Sequence, residues 1–235
     1  MISLFKKLAP PGSHRRWVLS GLRAEKLSFL QSLYRSLRYS FSLKRSLYPV
    51  CCRVSGGQKL ALSISPTAKL SITGVIYVTP WGGEDRTSSI SLGNHSELLT
   101  HGDFIIGPGV HISVSSNGRL RLGGKRDSSG SGITCNTRIM ARKNVTIGYD
   151  AIISWGVFIS DSDWHEISWD QPTKPIDIGD RVWISHDVSV LKGTTIGNGC
   201  VVGAKSLLSN STYPDNSLIA GAPAKIVRKD VFWSR

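Results

Sequence analysis

From Ile178 onward an aliphatic residue returns at every sixth position: Ile178, Ile184, Val190, Ile196, Val202 and Leu208. Four residues after each stand Val182, Val188, Thr194, Cys200, Ser206 and Thr212, all small or β-branched. The same phase runs through Ala141, Ile147, Ile153 and Ile159, with Val145, Ala151 and Val157 at the small position. A looser copy begins at Ile64, Leu70 and Ile76, with further pieces at Leu92 and Leu98 and at Ile106 and Ile112. A period of six is neither the 3.6 of a helix face nor the 2 of a strand. It fits a chain that runs straight for a few residues, turns and repeats, so that three sides close a triangular coil of about 18 residues. Stacked coils pair their backbones as parallel strands and bury one aliphatic column. Their corners take Gly, Asn or Asp, which tolerate φ > 0.

The arrangement predicts an all-β fold over residues 61–213, with a basic arm over 1–60 and a tail over 214–235. The arm is basic in a way the coil is not. Residues 1–60 hold 12 Lys/Arg and one acid, Glu25, whereas the remainder is close to neutral within a chain of net charge +13. In the arm, Leu27, Leu30, Leu33, Tyr34, Leu37 and Phe41 recur at helical spacing with Arg35 and Arg38 between them. Such a helix can lie on an anionic membrane or hold an acidic polymer. It can equally pack its leucines on the main domain and leave its arginines in water. No nucleic-acid recognition motif accompanies the charge, so none is expected as a partner.

A cytoplasmic protein is expected. No apolar run approaches the ~18 residues of a membrane span, and "LAPPGSH" follows Lys6 and Lys7 where a signal core would stand. Cys51 and Cys52 are adjacent, Cys135 and Cys200 lie far apart, and no C-x-x-C pair suggests zinc or redox work. Cys200 occupies a small-residue position of the coil, where packing accounts for it.

The count breaks once within the strict region. From Ile159 to Ile178 is 19 residues, one more than three hexads, and the stretch contains Pro172 and Pro175. Neither suits the middle of a paired strand. The coil is therefore expected to open and extrude a loop near 160–177, and loops on rigid scaffolds are where chemistry concentrates. His165 sits in this loop among Asp161, Asp163 and Glu166, with Trp164 and Trp169 beside it. An imidazole can take a proton near neutral pH, and a carboxylate on its other nitrogen would fix the tautomer. That suits deprotonation of an alcohol. A surface histidine without a task is the plainer alternative.

"IGDRVWISHDVSVLKGTTIGNGCVVGAKSLLSN…AGAPAKIVR" resembles the hexapeptide-repeat acetyltransferases, and in particular their sugar O-acetyltransferases. The likeness covers about 135–230 by motif and 61–134 by periodicity alone. It implies a left-handed parallel β-helix, acetyl-CoA as co-substrate, no metal, and homotrimers with active sites between protomers. It implies His165 as general base, with Trp183 lining the acceptor and thioester beside it. Asp163, Glu166 or a backbone carbonyl would orient the imidazole, and Asn136 and one of Trp164 or Trp169 would meet the acceptor. Ala204, Lys205 and Ser209 would lie along the cofactor groove, with Lys225 and Arg228 on the CoA phosphates. The last two share a face if the tail turns helical. Two features depart from the resemblance: relatives often carry a second loop histidine, and "GAKS" stands where many read "GAGS". His186 falls where relatives carry Ser or His near the cofactor, and no catalytic role is assigned to it here.

The expected activity is acetyl transfer to a sugar hydroxyl, in a bacterial capsular or other surface polysaccharide, which the basic arm would help to recruit. N-acetylation of an amino sugar or another small acceptor is the nearest alternative. From other classes come a zinc carbonic-anhydrase-like enzyme, whose histidine spacing this chain lacks, and a non-catalytic scaffold, which would bind no CoA.

Overall fold

The computed structural model describes residues 26–44, 51–55, 57–80, 86–128, 130–166, 168 and 170–234. Among the described residues, helix α1 (Lys26–Lys44) precedes a succession of short strands that fall into three sheets of nine, seven and seven. Each sheet takes every third strand, except that the ninth strand of the first, at its C-terminal edge, follows its neighbour directly in the chain. The first runs from β1 (Cys52–Val54) and β4 (Ile76–Val78) through β13 (Ile152–Ile153), β16 (Trp183–Ile184) and β19 (Val201–Val202) to β22 (Leu218–Gly221). The second includes β2 (Leu60–Ile64), β14 (Phe158–Ser160), β17 (Ser189–Leu191) and β20 (Leu207–Leu208). The third includes β15 (Ile176–Ile178), β18 (Thr195–Ile196) and β21 (Thr212–Tyr213). All these pairings are parallel, and the chain forms a left-handed parallel β-helix.

The hexad residues do what their period demands. Ile178, Ile184, Val190, Ile196, Val202 and Leu208 are all buried, as are Ala141, Ile147, Ile153 and Ile159. The small positions Val182, Val188, Thr194, Cys200 and Ser206 are buried beside them. Thr212 is the exception: it faces out, and Tyr213 fills the prism at 5 % exposure. The corner between β20 and β21 is one residue short, which shifts the inward position by one. Burial pushes the thiols of Cys52 and Cys200 up, consistent with packing roles for both.

The coil is longer at both ends than the hexads predict. It begins at Cys52, not at 61, and its last parallel strand ends at Gly221, not at 213. The reason lies in coil length. Val78 pairs with Ile106, 28 residues on, whereas Ile184 pairs with Val202, 18 residues on. Residues added at the corners of the early coils hide the repeat without changing the sheets.

Helix α1 closes the open end of this prism. Leu33 and Leu43 are buried, and two serines one turn apart meet the edge strand. Ser36 Oγ accepts the amide of Val54 at 2.9 Å and Ser40 Oγ that of Cys52 at 3.1 Å. Tyr39 Oη accepts from Leu60 N at 3.2 Å, and Arg35 donates to Gly57 O at 2.7 Å. A sheet edge with unpaired amides is a template for unwanted pairing, and here side chains occupy it. Part of the basic arm is therefore a cap, while Leu30, Tyr34 and Phe41 remain exposed on its outer side. Among the described residues no helix is long and apolar enough to cross a membrane.

Candidate active site

The predicted loop leaves the coil at the corner between the second and third sheets, after β14, and returns at β15. It is a hairpin. Lys174 N donates to Asp161 O at 3.1 Å and Asp163 N to Pro172 O at 2.9 Å, while Ser162 and Thr173 form an antiparallel bridge. Pro172, which has no amide to give, contributes its carbonyl. The base of the hairpin is set by Asp161. Its carboxylate is fully buried and accepts the amides of Arg142, Lys143 and Asn144, each at 2.7 Å, from the same corner one coil earlier.

Trp164 adopts φ +64°, a conformation a bulky residue rarely takes, and its ring lies 5.5 Å from the Arg142 guanidinium. The next residue, His165, is exposed, and among the described residues no hydrogen bond reaches its ring. Asp163, expected as an orienting partner, is engaged elsewhere: its carboxylate meets Lys192 Nζ at 2.5 Å. Glu166 is exposed beside the histidine. Trp169 lies outside the described residues.

The other predicted residues fall into separate groups. Ser209 shares the loop's corner, two coils on. Asn136, Ala204 and Lys205 lie at the corner between the first and second sheets, in a column that also contains Trp155 and His186. Gly156 N donates to Cys135 O, Asp187 N to Trp155 O and Lys205 N to His186 O. Asn136 is a corner residue, with φ +48° and its Oδ1 packed where a Cβ on Gly109 would have to stand. It also accepts from Arg86 Nη1 at 3.4 Å. Lys205 takes φ +59°, which explains why glycine suits this position in the related motif. Trp155 and His186 stack with centroids 5.1 Å apart and planes 4° from parallel, and His186 Nδ1 lies 3.2 Å from Asp187 Oδ2.

Trp183 stands on the outer face of the first sheet, with the Trp233 ring 6.0 Å away. The tail there is not helical. It forms β23 (Ala224–Arg228), antiparallel to β22. A strand would put residues three apart on opposite faces, but the register slips between Leu218 and Ile219. Lys225 therefore stands opposite Ala220 and Arg228 opposite Leu218, positions two apart on β22 and so on one face. A strand irregularity produces the alignment that a helix would have given.

A shallow cleft of about 320 Å³ lies on the third sheet, bordered by Arg121, Thr146, Tyr149, Asp177 and Asn198. It contains none of the predicted site residues. Among the described residues no group of three His, Cys, Asp or Glu converges.

Residues 175–210 match the bacterial transferase hexapeptide family (six repeats). That segment carries the hexapeptide repeat of bacterial transferases. This hexapeptide-repeat chain is 43 % identical over 105 residues to the "Putative lipopolysaccharide biosynthesis O-acetyl transferase WbbJ" of Escherichia coli K12, covering 39 % of this chain and 53 % of the relative. It is 33 % identical over 131 residues to the polysialic acid O-acetyltransferase of Escherichia coli O1:K1, covering 52 % of this chain and 40 % of that one. It thus spans about half the length of the relatives it matches. Among solved structures, the polySia-specific acetyltransferase NeuO aligns with TM-score 0.47 and 22 % identity over 79 % of this chain and 89 % of that one. The family match contains Trp183, Lys192, Ala204, Lys205 and Ser209, and it begins beyond the His165 hairpin. Lys192 was not singled out in the sequence, because a lysine before glycine at a corner reads as solvated. His186, noted in the sequence for its place in the family motif and given no catalytic role, is stacked on Trp155 in the fold.

Proposed function

We propose that this hexapeptide-repeat chain transfers an acetyl group from acetyl-CoA to a sugar hydroxyl of a bacterial surface polysaccharide, with His165 as general base. The observation that carries the reading is the hairpin itself: an exposed imidazole raised from a rigid coil of the bacterial transferase type. In the step, the imidazole takes the hydroxyl proton as the sugar oxygen attacks the thioester carbonyl carbon. The new C–O bond gives a tetrahedral oxyanion, suited to stabilisation by a backbone N–H. Its collapse breaks the C–S bond, and the imidazolium returns the proton to the departing CoA sulfur. The column Ala204–Lys205 is proposed to hold the pantetheine, and Lys225 and Arg228, sharing one face, the CoA phosphates.

His165 and this column occupy different corners of the prism, so the reading calls for a neighbouring copy to bring them together. An outward ladder on the first sheet supports a homotrimer: Tyr77, Ile105, Gly132, Ile152, Trp183, Val201 and Leu218 pair in one unbroken row. The matching row of the third sheet is mostly serine, threonine and charged residues, and that of the second mixes Ser89, His111, Arg138 and Ser189 with Phe158 and Leu207. Ile152→Asp is expected to reduce the assembly to single chains with the coil intact, and to cut transfer by more than tenfold. Light scattering alongside the assay reads both. An active wild-type monomer would remove the shared site from the proposal.

The outward stripe of Leu30, Tyr34 and Phe41, with Arg38 among them, supports contact of the arm with an anionic bilayer on the cytoplasmic side. The deciding experiment for the activity is thiol release from acetyl-CoA across a panel of monosaccharides and acidic polysaccharides, with NMR of the product. An O-acetyl ester on a polysaccharide is the expected result. An amide product would move the assignment to N-acetylation, and no release with any acceptor would overturn it.

A further inference from the structure

The ammonium of Lys192 is almost wholly withdrawn from water, its side chain 4 % exposed. It leaves the coil at the corner between β17 and β18, one coil beyond the point where the hairpin emerges. Its Nζ contacts three groups: Asp163 Oδ2 at 2.5 Å, Asp170 Oδ2 at 2.7 Å and Gln171 O at 2.7 Å. Asp163 belongs to the outgoing arm of the hairpin, Asp170 and Gln171 to the returning arm. A second ammonium, Lys174 Nζ, meets Asp170 Oδ1 at 2.6 Å and Asn210 Oδ1 at 3.0 Å. Two lysines and two aspartates thus balance in charge across the neck of the loop, and His165 lies in the tip they enclose.

We propose that Lys192 is a positioning residue for the His165 hairpin, its ammonium holding the two arms together so that the imidazole stands in one place. This rests on the transfer reading above only for its kinetic consequence. Burying a lysine in this way is a poor route to stability, because desolvation offsets the attraction of the pair. Its physical advantage is directional: one cation satisfied by three oxygens from two arms admits few loop conformations. The charges persist across the working range. Hydrogen bonds to Asp163 and then Asp170 raise the Lys192 pKa, and hydrogen bonds from Lys174 and then Lys192 lower that of Asp170 to about 2. The Asp170 contribution is present above the ordinary carboxylate range and is lost only as pH falls through about 2. That of Lys192 is present below the ordinary lysine range and is lost only above it.

The test compares full-length Lys192→Met and Lys192→Arg with wild type by amide hydrogen exchange and by steady-state kinetics. Lys192→Met is expected to speed exchange in residues 163–171 at least tenfold while the coil amides stay unchanged. With the best acceptor, kcat should fall by about 10- to 100-fold, the scale of a misplaced catalytic group, and the KM for acetyl-CoA should hold within about twofold. Lys192→Arg, which keeps the cation, should restore part of both. Unchanged loop exchange in Lys192→Met would overturn the proposal, as would a wild-type kcat in an enzyme that does transfer acetyl. If the wild type transfers no acetyl at all, the transfer reading fails and the exchange result still decides the clamp. Should Lys192→Met not fold, Asp170→Asn loosens one arm alone and is read in the same two ways.

Discussion

The His165→Ala variant is expected to retain its fold and lose between about 10² and 10⁴ in kcat, the usual contribution of a positioned general base. The side chain is exposed, and among the described residues no hydrogen bond reaches its ring, so its removal should leave Tm within about 1 °C. The KM for acetyl-CoA should be unchanged, because the donor is assigned to the opposite corner and the tail. Thiol release at saturating acetyl-CoA measures the loss, and circular dichroism checks the fold. A variant with wild-type kcat would remove His165 from the chemistry. Attention would then pass to His186, whose ring is already stacked on Trp155 and paired with Asp187.

The second large effect is on stability. Asp161→Ala is expected to lower stability by about 3–5 kcal/mol, since it removes a buried acceptor shared by three amides and leaves them without a partner. For a chain of this size that corresponds to a fall in Tm on the order of 10 °C. Thermal unfolding followed at the coil's far-ultraviolet signal reads it. Asp161→Asn should cost less, because its oxygen can keep at least one of the three bonds. If alanine at 161 proves neutral, the carboxylate is not what anchors the hairpin, and the stem hydrogen bonds between Asp161 and Lys174 and between Asp163 and Pro172 must suffice.

The two residues were unequally visible in sequence. His165 could be found because it interrupts a strict period, and an interruption stands out where the rule around it is rigid. Asp161 and Lys192 read as ordinary loop and corner charges. Their importance comes from three amides and two carboxylates contributed by other coils, and no local pattern encodes which corner lies above which. The same holds for Ser36 and Ser40, unremarkable on a helix until an edge strand is laid against them. The tail misled in a different way. Lys225 and Arg228, three apart, were expected to share a face only if the tail turned helical, whereas a strand with one slipped register aligns them.

By itself the amino-acid sequence determined the coil. An aliphatic side chain every six residues can be buried continuously only if the backbone turns after each short side, and that requirement is local and repeated. It also marked where the coil opens. Only the tertiary structure decided how long the prism is, which group closes its end, and what holds the loop. Those depend on contacts between residues 12 to 31 positions apart, brought together by coils of unequal length and by the helix laid across the first of them. The distribution of the proposed site over separate corners is likewise a property of the folded prism, since neighbours in a hexad are turned away from one another by its edges.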